Sequence, residues 1–461
     1  MSAPRHVGVI DIGKTNVKFA IVDLEQGRET IAQRTKTPVR DGDPYRHFDV
    51  DAIWQFLCEK ISAVQQKHSI DALSVTTHGA SAALVDADGR LTFPILDYED
   101  LAPDEVDLEY AAVRPKFEES FTPALPGGLN LGKQLFWLAR RDPAAFDRTK
   151  WILTLPQYWS FRLSGVASSE ITSLGCHTDL WDFRANRLSS LVENQNWLAK
   201  FPPLHKAGDR LGPLRPDVAR MFQLDVETPV LCGIHDSNAT LLQHVLSRTP
   251  PFSVVSTGTW VIVCTPGGNL DQLDPSRDCL ANIDALGRVV PSARFMGGRE
   301  YSLVTDDVAR EVSSETLERV LGEKLFLLPS IVRGSGPYPQ STSRWSYVRN
   351  PHDPETDYAV VSCYLALMTR ECLELTGAGG EIVVEGPFAA NRIFLQMLAA
   401  STQRPVLAQP ASTMGTAIGA ALLARTEFET VALPRVDRVN ESTSAHFAEY
   451  AADWRDEVVA R

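Results

Sequence analysis

The clearest hydrophobic pattern in the chain is a pair of apolar runs separated by a short polar turn near the N-terminus. A mostly apolar run from Val7 to Ile10 leads into Asp11, and a second run extends from Val17 to Val22. Between the two runs stand Gly13, Lys14, Thr15 and Asn16. Two β-type runs joined by a polar turn with a glycine are typical of a hairpin. We therefore predict strand, tight turn and strand over residues 7–23.

Helical and β-type patterns alternate along the first half of the chain. Residues 49–67 have apolar side chains at every third or fourth position, which predicts an amphipathic helix. Residues 71–77 and 229–234 are short β-type runs, and residues 238–246 again follow a helical pattern. This alternation predicts an α/β protein.

The opening pattern recurs at the start of the second half. Residues 252–264 read FSVVSTGTWVIVC, which is again a β-type run, a polar glycine turn and a β-type run. Residues 247–251 precede them as a break with two prolines. A chain of 461 residues is longer than one hydrophobic core usually serves. We therefore predict two related domains, residues 1–246 and 247–461, that face one cleft.

The second half of the chain also has two helical patterns and a C-terminal tail. Residues 358–376 form a long helical stretch, and residues 412–424 form a helix of small side chains that either Ser412 or Thr413 caps. We predict a peripheral tail at residues 453–461.

Composition narrows the possible partners. The net charge is -13, so the chain has no basic excess for binding nucleic acid or an anionic membrane. The seven cysteines are odd in number and include no CxxC pair, which indicates a reducing, cytoplasmic location rather than a disulfide framework or zinc site. The sequence has no apolar signal segment and no run of about 18 apolar residues, so we expect no membrane span.

Both polar turns have the residue types that bind phosphate: a glycine that lets the backbone approach, a series of N–H donors, and hydroxyl side chains. The candidate phosphate contacts are Gly13, Lys14, Thr15 and Asn16 in the first turn and Thr257, Gly258 and Thr259 in the second. Lys14 has two interpretations, a charge for the phosphates or a side chain in solvent. Asp11, at a strand end, is a candidate for orienting Mg²⁺.

Asp236 is the leading candidate for acid–base chemistry. It follows the β-type run 229–234 and precedes the helical stretch 238–246, so its carboxylate comes at a strand end. A carboxylate there suits a general base, and aspartate is also a frequent helix N-cap, so both interpretations remain open. The neighbouring His235 is a candidate for touching a substrate, for holding Asp236, or for packing alone.

The ordered motifs resemble the FGGY family of carbohydrate kinases, within the actin/hexokinase/Hsp70 ATPase superfamily. The matching segments are DIGKTN at 11–16, TTHG at 76–79, GIHDSNA at 233–239, STGTW at 256–260, EGPFAANRIFLQMLA at 385–399 and MGTAIGAALLA at 414–424. Residues 75–95 are most similar to the L-fuculokinase and rhamnulokinase branch. The resemblance covers nearly the whole chain and implies two RNase-H-like domains with a ligand cleft between them.

The resemblance also implies an activity and its site. It implies ATP- and Mg²⁺-dependent phosphoryl transfer to a terminal hydroxyl of a ketose, with Asp236 as catalytic base and Asp11 and Asp236 at the metal. The implied sugar contacts are Thr77, His78, Asp97, His235 and Asp236. The implied adenosine contacts are Gly386, Pro387, Asn391 and Gly415. His78 departs from the aromatic residue of that branch, and Pro387 departs from the family's glycine run.

Several alternatives remain at this point. An L-fuculose- or L-rhamnulose-like ketose would give a 1-phosphate, whereas a pentulose kinase would give a 5-phosphate. A non-metabolic actin-like ATPase or a sugar sensor is the alternative from another class. We expect small-molecule ligands, the ketose and ATP, in a monomer or homodimer, and neither nucleic acid nor a membrane as partner.

Overall fold

The computed structural model describes residues 4–409, 415–425, 437–438 and 445–460, with the backbone alone at 437–438. Ser412 and Thr413, the predicted helix caps, lie outside the described residues. The strands of the two large sheets are β1 (His6–Ile12), β2 (Asn16–Asp23), β3 (Arg28–Lys36), β4 (Ala72–Thr77), β5 (Arg210–Pro213), β6 (Pro229–Leu231), β7 (Ile234–His235), β8 (Phe252–Thr257), β9 (Val261–Cys264), β10 (Cys279–Ile283), β11 (Val289–Phe295), β12 (Glu381–Glu385), β13 (Val406–Gln409) and β14 (Asp437–Arg438).

The main helices are α1 (Val50–Gln65), α2 (Leu131–Arg141), α3 (Leu155–Ser164), α4 (Asp236–Ser247), α5 (Gly297–Thr305), α6 (Ser314–Gly322), α7 (Pro354–Leu375), α8 (Arg392–Thr402), α9 (Thr416–Leu422) and α10 (Ala445–Val459). Shorter helices are Asp107–Ala111, Phe117–Ser120, Pro143–Arg148, Ile171–Leu174, Ser190–Asn194 and Pro216–Phe222. Small strand pairs join Val39–Arg40 to His47–Phe48, Ala82–Val85 to Trp151–Thr154, Ser169–Glu170 to Leu204–His205, Trp181–Asp182 to Arg187–Leu188, and Leu327–Leu328 to Arg344–Trp345. None of the described helices is both long enough and apolar enough to cross a membrane.

The chain divides into two compact units. Among the described residues, the first unit contains 4–247, 281–289 and 415–425, and the second contains the rest. Two segments beyond the predicted single boundary therefore belong to the first unit. Local contacts explain this: the Ala281 N–H donates to the Phe121 carbonyl at 2.9 Å, and the Ser74 hydroxyl of β4 donates to the Ala420 carbonyl of α9 at 2.8 Å.

The sheet of the first unit has the order β5-β6-β4-β1-β2-β3, and β7 also pairs with β4. The predicted hairpin is confirmed as β1 and β2, which run antiparallel, whereas β4 runs parallel to β1. The predicted amphipathic helix is confirmed as α1, which Asp49 caps by accepting the Ala52 N–H at 3.1 Å. Its apolar side chains pack with those of the sheet into one core, which includes Phe19 and Leu57.

The second large sheet has the order β10-β11-β9-β8-β12-β13-β14. Its hairpin of β8 and β9 and the parallel strand β12 repeat the arrangement of β1, β2 and β4 in the first unit. The predicted α/β fold with two related domains is confirmed. The predicted peripheral tail is wrong, because α10 spans that segment and Trp454 is buried, donating its indole N–H to the Leu327 carbonyl at 2.8 Å.

Candidate functional site

One edge of the first sheet collects the polar residues that the sequence singled out. Strands β1, β4 and β7 are parallel, with Ile12 and His235 each opposite Thr77. The carboxyl ends of parallel strands meet at one edge of a sheet, which is where open α/β sheets bind ligands. Asp11, His78 and Asp236 consequently emerge side by side at this edge.

Asp11 lies in a carboxylate-rich surrounding with one cation. The Lys18 Nζ is 3.7 Å from the Asp11 Oδ2 and 2.8 Å from the Glu29 Oε1. Burial raises the pKa of Asp11 to about 6; the Lys18 ammonium lowers this pKa, and the negative charge of Asp236 adds to the increase. Two carboxylates within electrostatic reach of each other favour a bound cation. Sequence reasoning missed Lys18, although the hairpin register pairs it with Asp11.

A metal ion held at this edge would need ligands from outside the protein. In the described part of the chain, no group of three or more His, Cys, Asp or Glu side chains is arranged to hold a metal ion. Mg²⁺ is usually held by one or two carboxylates together with water and substrate phosphates, so Asp11 and Asp236 fit that donor set.

Asp236 is the first residue of α4 and remains accessible, with 30% of its side chain exposed. Its Oδ1 accepts the Ser237 N–H at 2.6 Å and lies 3.4 Å from the His235 Nε2. Asp236 can therefore begin α4 and also take part in a site, because it lies within electrostatic reach of Asp11.

A buried network behind His235 fixes the position of Asp236. The Thr172 hydroxyl donates to the Glu170 Oε2 at 2.6 Å and accepts the His235 N–H at 3.2 Å. Glu170 also accepts two backbone N–H groups, from Thr172 at 2.9 Å and from Ser173 at 3.1 Å. Burial nevertheless raises the pKa of Glu170 to about 7. Sequence reasoning missed this network, which no local motif indicates.

Thr77 and His78 form the end of β4. The Thr77 hydroxyl donates to the His78 carbonyl at 2.8 Å, so it serves the local turn. The His78 ring is buried between two aromatic rings, 5.0 Å from the centroid of Phe48 and 5.4 Å from that of Tyr98. Burial lowers the pKa of His78, so the imidazole is neutral at pH 7. Phe48 and Tyr98 give this part of the site its aromatic wall.

The Lys14 ammonium contacts two carboxylates, so its side chain does not extend freely into solvent. Its ammonium donates a hydrogen bond to the buried Asp97 Oδ1 and lies 3.1 Å from the Glu99 Oε2. Arg46 supports the same carboxylate, with its Nε 3.1 Å from the Asp97 Oδ2. The structure thus joins a predicted phosphate residue, Lys14, to a predicted sugar residue, Asp97.

Hydrogen bonds hold the backbone at the base of the first turn. The Gly13 N–H donates to the Asn16 carbonyl at 2.9 Å, and the Thr37 hydroxyl donates to the Gly13 carbonyl at 2.7 Å. The Thr15 and Asn16 side chains are exposed. This turn is rigid at its base and presents polar side chains at its tip.

In the second unit, the predicted phosphate turn lies between β8 and β9. The Gly258 N–H donates to the Trp260 carbonyl at 2.9 Å, much as in the first turn. The Thr257 hydroxyl accepts the Phe388 N–H at 3.1 Å and donates to the Glu385 carbonyl, so it holds the neighbouring turn. Gly386 in that turn has a φ of 83°, and a Cβ there would lie 2.0 Å from the Thr257 carbonyl oxygen, so only glycine fits.

A cavity of about 570 Å³ lies beside this turn. Four predicted residues line it together: Gly258, Thr259, Pro387 and Asn391. Phe388 of the same motif adds an aromatic wall, and so do Tyr301 and Tyr358, which the sequence motifs did not indicate. The Asn391 side chain accepts the Phe394 N–H at 3.0 Å and donates to the Ser362 hydroxyl at 2.9 Å, which fixes the cavity wall. Gly415, also predicted on the adenosine side, belongs to the first unit and precedes α9.

Two family models match the chain. The model described as "FGGY family of carbohydrate kinases, N-terminal domain" matches residues 6–243. The model described as "Carbohydrate kinase FGGY, C-terminal domain" matches residues 249–432.

Individual relatives agree with these matches. The crystal structure of a carbohydrate kinase from Novosphingobium aromaticivorans superposes with a TM-score of 0.89 at 34% identity, covering 100% of this chain and 99% of that one. The L-fuculokinase of Salmonella typhi is 28% identical over 281 residues, 57% of each chain. The "Probable L-xylulose kinase" of Pasteurella multocida is 25% identical over 277 residues, 57% of this chain and 56% of that one. The chain thus aligns with little more than half the length of these two curated relatives.

Proposed function

The chain belongs to the FGGY family of carbohydrate kinases, and we propose that it transfers the γ-phosphoryl group of ATP to a terminal hydroxyl of a ketose. The observation that carries this proposal is the convergence of Asp11, His78 and Asp236 at one edge of the first sheet. An accessible carboxylate and a second carboxylate suited to a metal are groups that such a transfer uses, and the neutral imidazole of His78 can accept a hydrogen bond from a sugar hydroxyl.

Asp236 is the base in this proposal. Its carboxylate accepts the proton of the sugar hydroxyl while that oxygen forms a bond to the γ-phosphorus. The bond from the γ-phosphorus to the bridging oxygen of the β-phosphate breaks, and ADP leaves with that electron pair. His235, 3.4 Å from the Asp236 Oδ1, and the start of α4 hold the carboxylate in place.

The other proposed roles follow the position of each residue. Asp11 and Asp236 would hold Mg²⁺, which neutralises charge on the phosphates when bound. The Gly13, Thr15 and Asn16 turn of the first unit and the Gly258 and Thr259 turn of the second are proposed phosphate contacts. Thr257 is then a positioning residue, because its hydroxyl already binds within its own unit.

The cavity of the second unit is the proposed adenosine site. Pro387 and Asn391 line it together with three aromatic side chains, and mostly apolar, aromatic walls with few polar groups suit a planar base. Gly386 shapes the turn that carries Pro387, which supports its assignment to this site. Gly415 keeps its proposed adenosine role from the motif resemblance alone.

The proposed substrate is an L-fuculose- or L-rhamnulose-like ketose, phosphorylated at its first carbon. The L-fuculokinase relative supports this choice. A pentulose, giving a 5-phosphate, is the second candidate, because a relative named for L-xylulose aligns over a similar length. The seven cysteines form no disulfide, which supports the proposed cytoplasmic location. We propose that the protein is a monomer or a homodimer.

Replacement of the base tests the proposal. Asp236→Asn keeps the shape and still accepts the Ser237 N–H, but cannot accept a proton from the sugar. We expect kcat to fall by about 10²- to 10⁴-fold, with the affinity for ATP nearly unchanged. Asp88→Asn, at an exposed turn, is the matched control and should keep full activity. Normal turnover by Asp236→Asn would show that another group takes the proton.

A further inference from the structure

The side chain of Lys14 extends into an aromatic enclosure. Its Nζ lies 4.9 Å from the ring centroid of Tyr98 and 5.4 Å from that of Phe48, and only 19% of the side chain is exposed. An ammonium over a ring is attracted by the negative electrostatic potential of the ring face, and the attraction grows as water is excluded. The enclosure therefore holds the lysine in one place rather than leaving it mobile at the tip of the turn.

The charges around Lys14 are mostly negative. Its ammonium binds Asp97 and Glu99, and the Arg46 Nε lies 3.1 Å from the second oxygen of Asp97. Arg46 also contacts the exposed Asp41, with its Nε 3.3 Å from the Asp41 Oδ1, so two cations face three carboxylates. A phosphate at this ammonium would add negative charge beside Asp97 and Glu99, and moving Lys14 away would remove one of the two cations at the buried Asp97; both are unfavourable. The contacts therefore oppose the phosphate role that the turn sequence suggested.

His78 presents an unused acceptor within electrostatic reach of the ammonium. The His78 Nδ1 donates to the Gly79 carbonyl at 2.8 Å, so the neutral ring has its lone pair on Nε2. This buried Nε2 has no hydrogen-bond partner among the described residues. Lys14 and Asp236 both act on the pKa of His78, the first lowering it and the second raising it, so His78 lies within electrostatic reach of both.

We infer that Lys14 is a specificity-determining residue of the sugar site and not a phosphate ligand. A lysine ammonium has three donors, and its two carboxylate partners leave one for a ligand. One sugar hydroxyl accepts from Lys14 while another donates to the His78 Nε2, and the aromatic rings pack against the carbon skeleton. Because the carboxylates of the cluster outnumber its cations, the ligand is an uncharged polyhydroxylated sugar rather than a sugar acid. This inference depends on the proposed kinase function.

The test compares sugar binding with nucleotide binding in Lys14→Met, which keeps a side chain of similar length over the rings and removes the donor. Affinities for ATP and for the ketose that gives the highest turnover, from a panel of L-fuculose, L-rhamnulose, L-xylulose and D-ribulose, are measured separately by calorimetry. We expect roughly 10- to 100-fold weaker sugar binding, as for loss of a charged hydrogen bond, and unchanged ATP binding. Lys150→Met, which removes an exposed lysine over the Trp151 ring, should change neither affinity.

The outcomes distinguish the sugar role of Lys14 from the proposed kinase function. Weaker ATP binding with unchanged sugar binding would overturn the sugar role of Lys14 while leaving the kinase function standing, and so would two unchanged affinities. A wild-type protein that phosphorylates none of these sugars would overturn both. If Lys14→Met fails to fold because Asp97 loses its partner, the double variant Lys14→Met with Asp97→Asn removes the unpaired charge. Sugar affinity as high as that of the wild type in this variant would overturn the inference.

Discussion

The network behind the proposed base gives the sharpest prediction about a residue that touches no ligand. Thr172 is fully buried, donating its hydroxyl to Glu170 and accepting the His235 N–H. Thr172→Val keeps the shape of the side chain and removes both hydrogen bonds. His235 directly precedes Asp236, so a shift of its backbone moves the carboxylate.

The expected magnitude follows from the two lost bonds. A hydrogen bond to an ionisable carboxyl contributes about 1.5–3 kcal/mol, and a buried N–H left without an acceptor costs about 1–3 kcal/mol. We therefore expect the first unit to lose roughly 3 kcal/mol of unfolding free energy, measured by urea denaturation. Because misplacing a reacting group by about 1 Å can cost about 10²-fold in rate, kcat should fall by about 10- to 100-fold with little change in ATP affinity.

Thr265→Val is the matched control. Thr265 is equally buried and shares one hydrogen bond with the Thr376 hydroxyl, at 2.9 Å, in the second unit. It should cost about 1 kcal/mol and leave kcat unchanged. If both valine variants show the same small loss of stability and full activity, the Glu170 network does not position Asp236.

Two further predictions concern the metal and the helix that carries the base. Burial raises the pKa of Asp11 to about 6, so its carboxylate gains a proton as pH falls through that value. Calorimetry should therefore show that the Mg·ATP affinity of the wild type falls below pH 6 relative to that of Asp11→Asn. A ratio of these two affinities that does not change with pH would contradict the metal role. A Cβ at Gly419 of α9 would lie 1.7 Å from the Ala239 carbonyl of α4, so Gly419→Ala should separate these helices, destabilise the first unit by about 1–3 kcal/mol and reduce kcat. Gly322→Ala, at the end of α6 with nothing within 4 Å of the new Cβ, is the control. It should be neutral or stabilising by up to about 1 kcal/mol. Equal melting temperatures of the two variants would contradict the close approach of α9 to α4.

Local sequence predicted the parts of the site that local geometry determines. Both hairpins follow from alternating β-type runs around a glycine turn, and Asp11 and Asp236 follow from their positions at strand ends. The register of the first hairpin even fixes Lys18 opposite Asp11. These features depend on residues close together in the chain.

The rest of the site depends on contacts between distant segments. Lys14 and Asp97 are 83 positions apart, and the loop that carries Asp97 determines where the lysine points. Thr172 and His235 are 63 positions apart and meet only because Ile171–Leu174 lies behind β7. The predicted tail at 453–461 failed for the same reason, since Trp454 is buried by a partner segment more than a hundred residues earlier. Hydrophobic periodicity carries no information about such pairings.

The most direct test of the proposed function is ADP release by the purified protein with ATP and Mg²⁺, measured for each ketose of the panel and followed by phosphorus NMR of the product. We expect at least one uncharged ketose to raise ADP release well above the basal rate and to yield a sugar phosphate ester. Asp236→Asn should fail to form this ester. If no ketose raises ADP release above the basal rate, the proposed ketose kinase function is wrong.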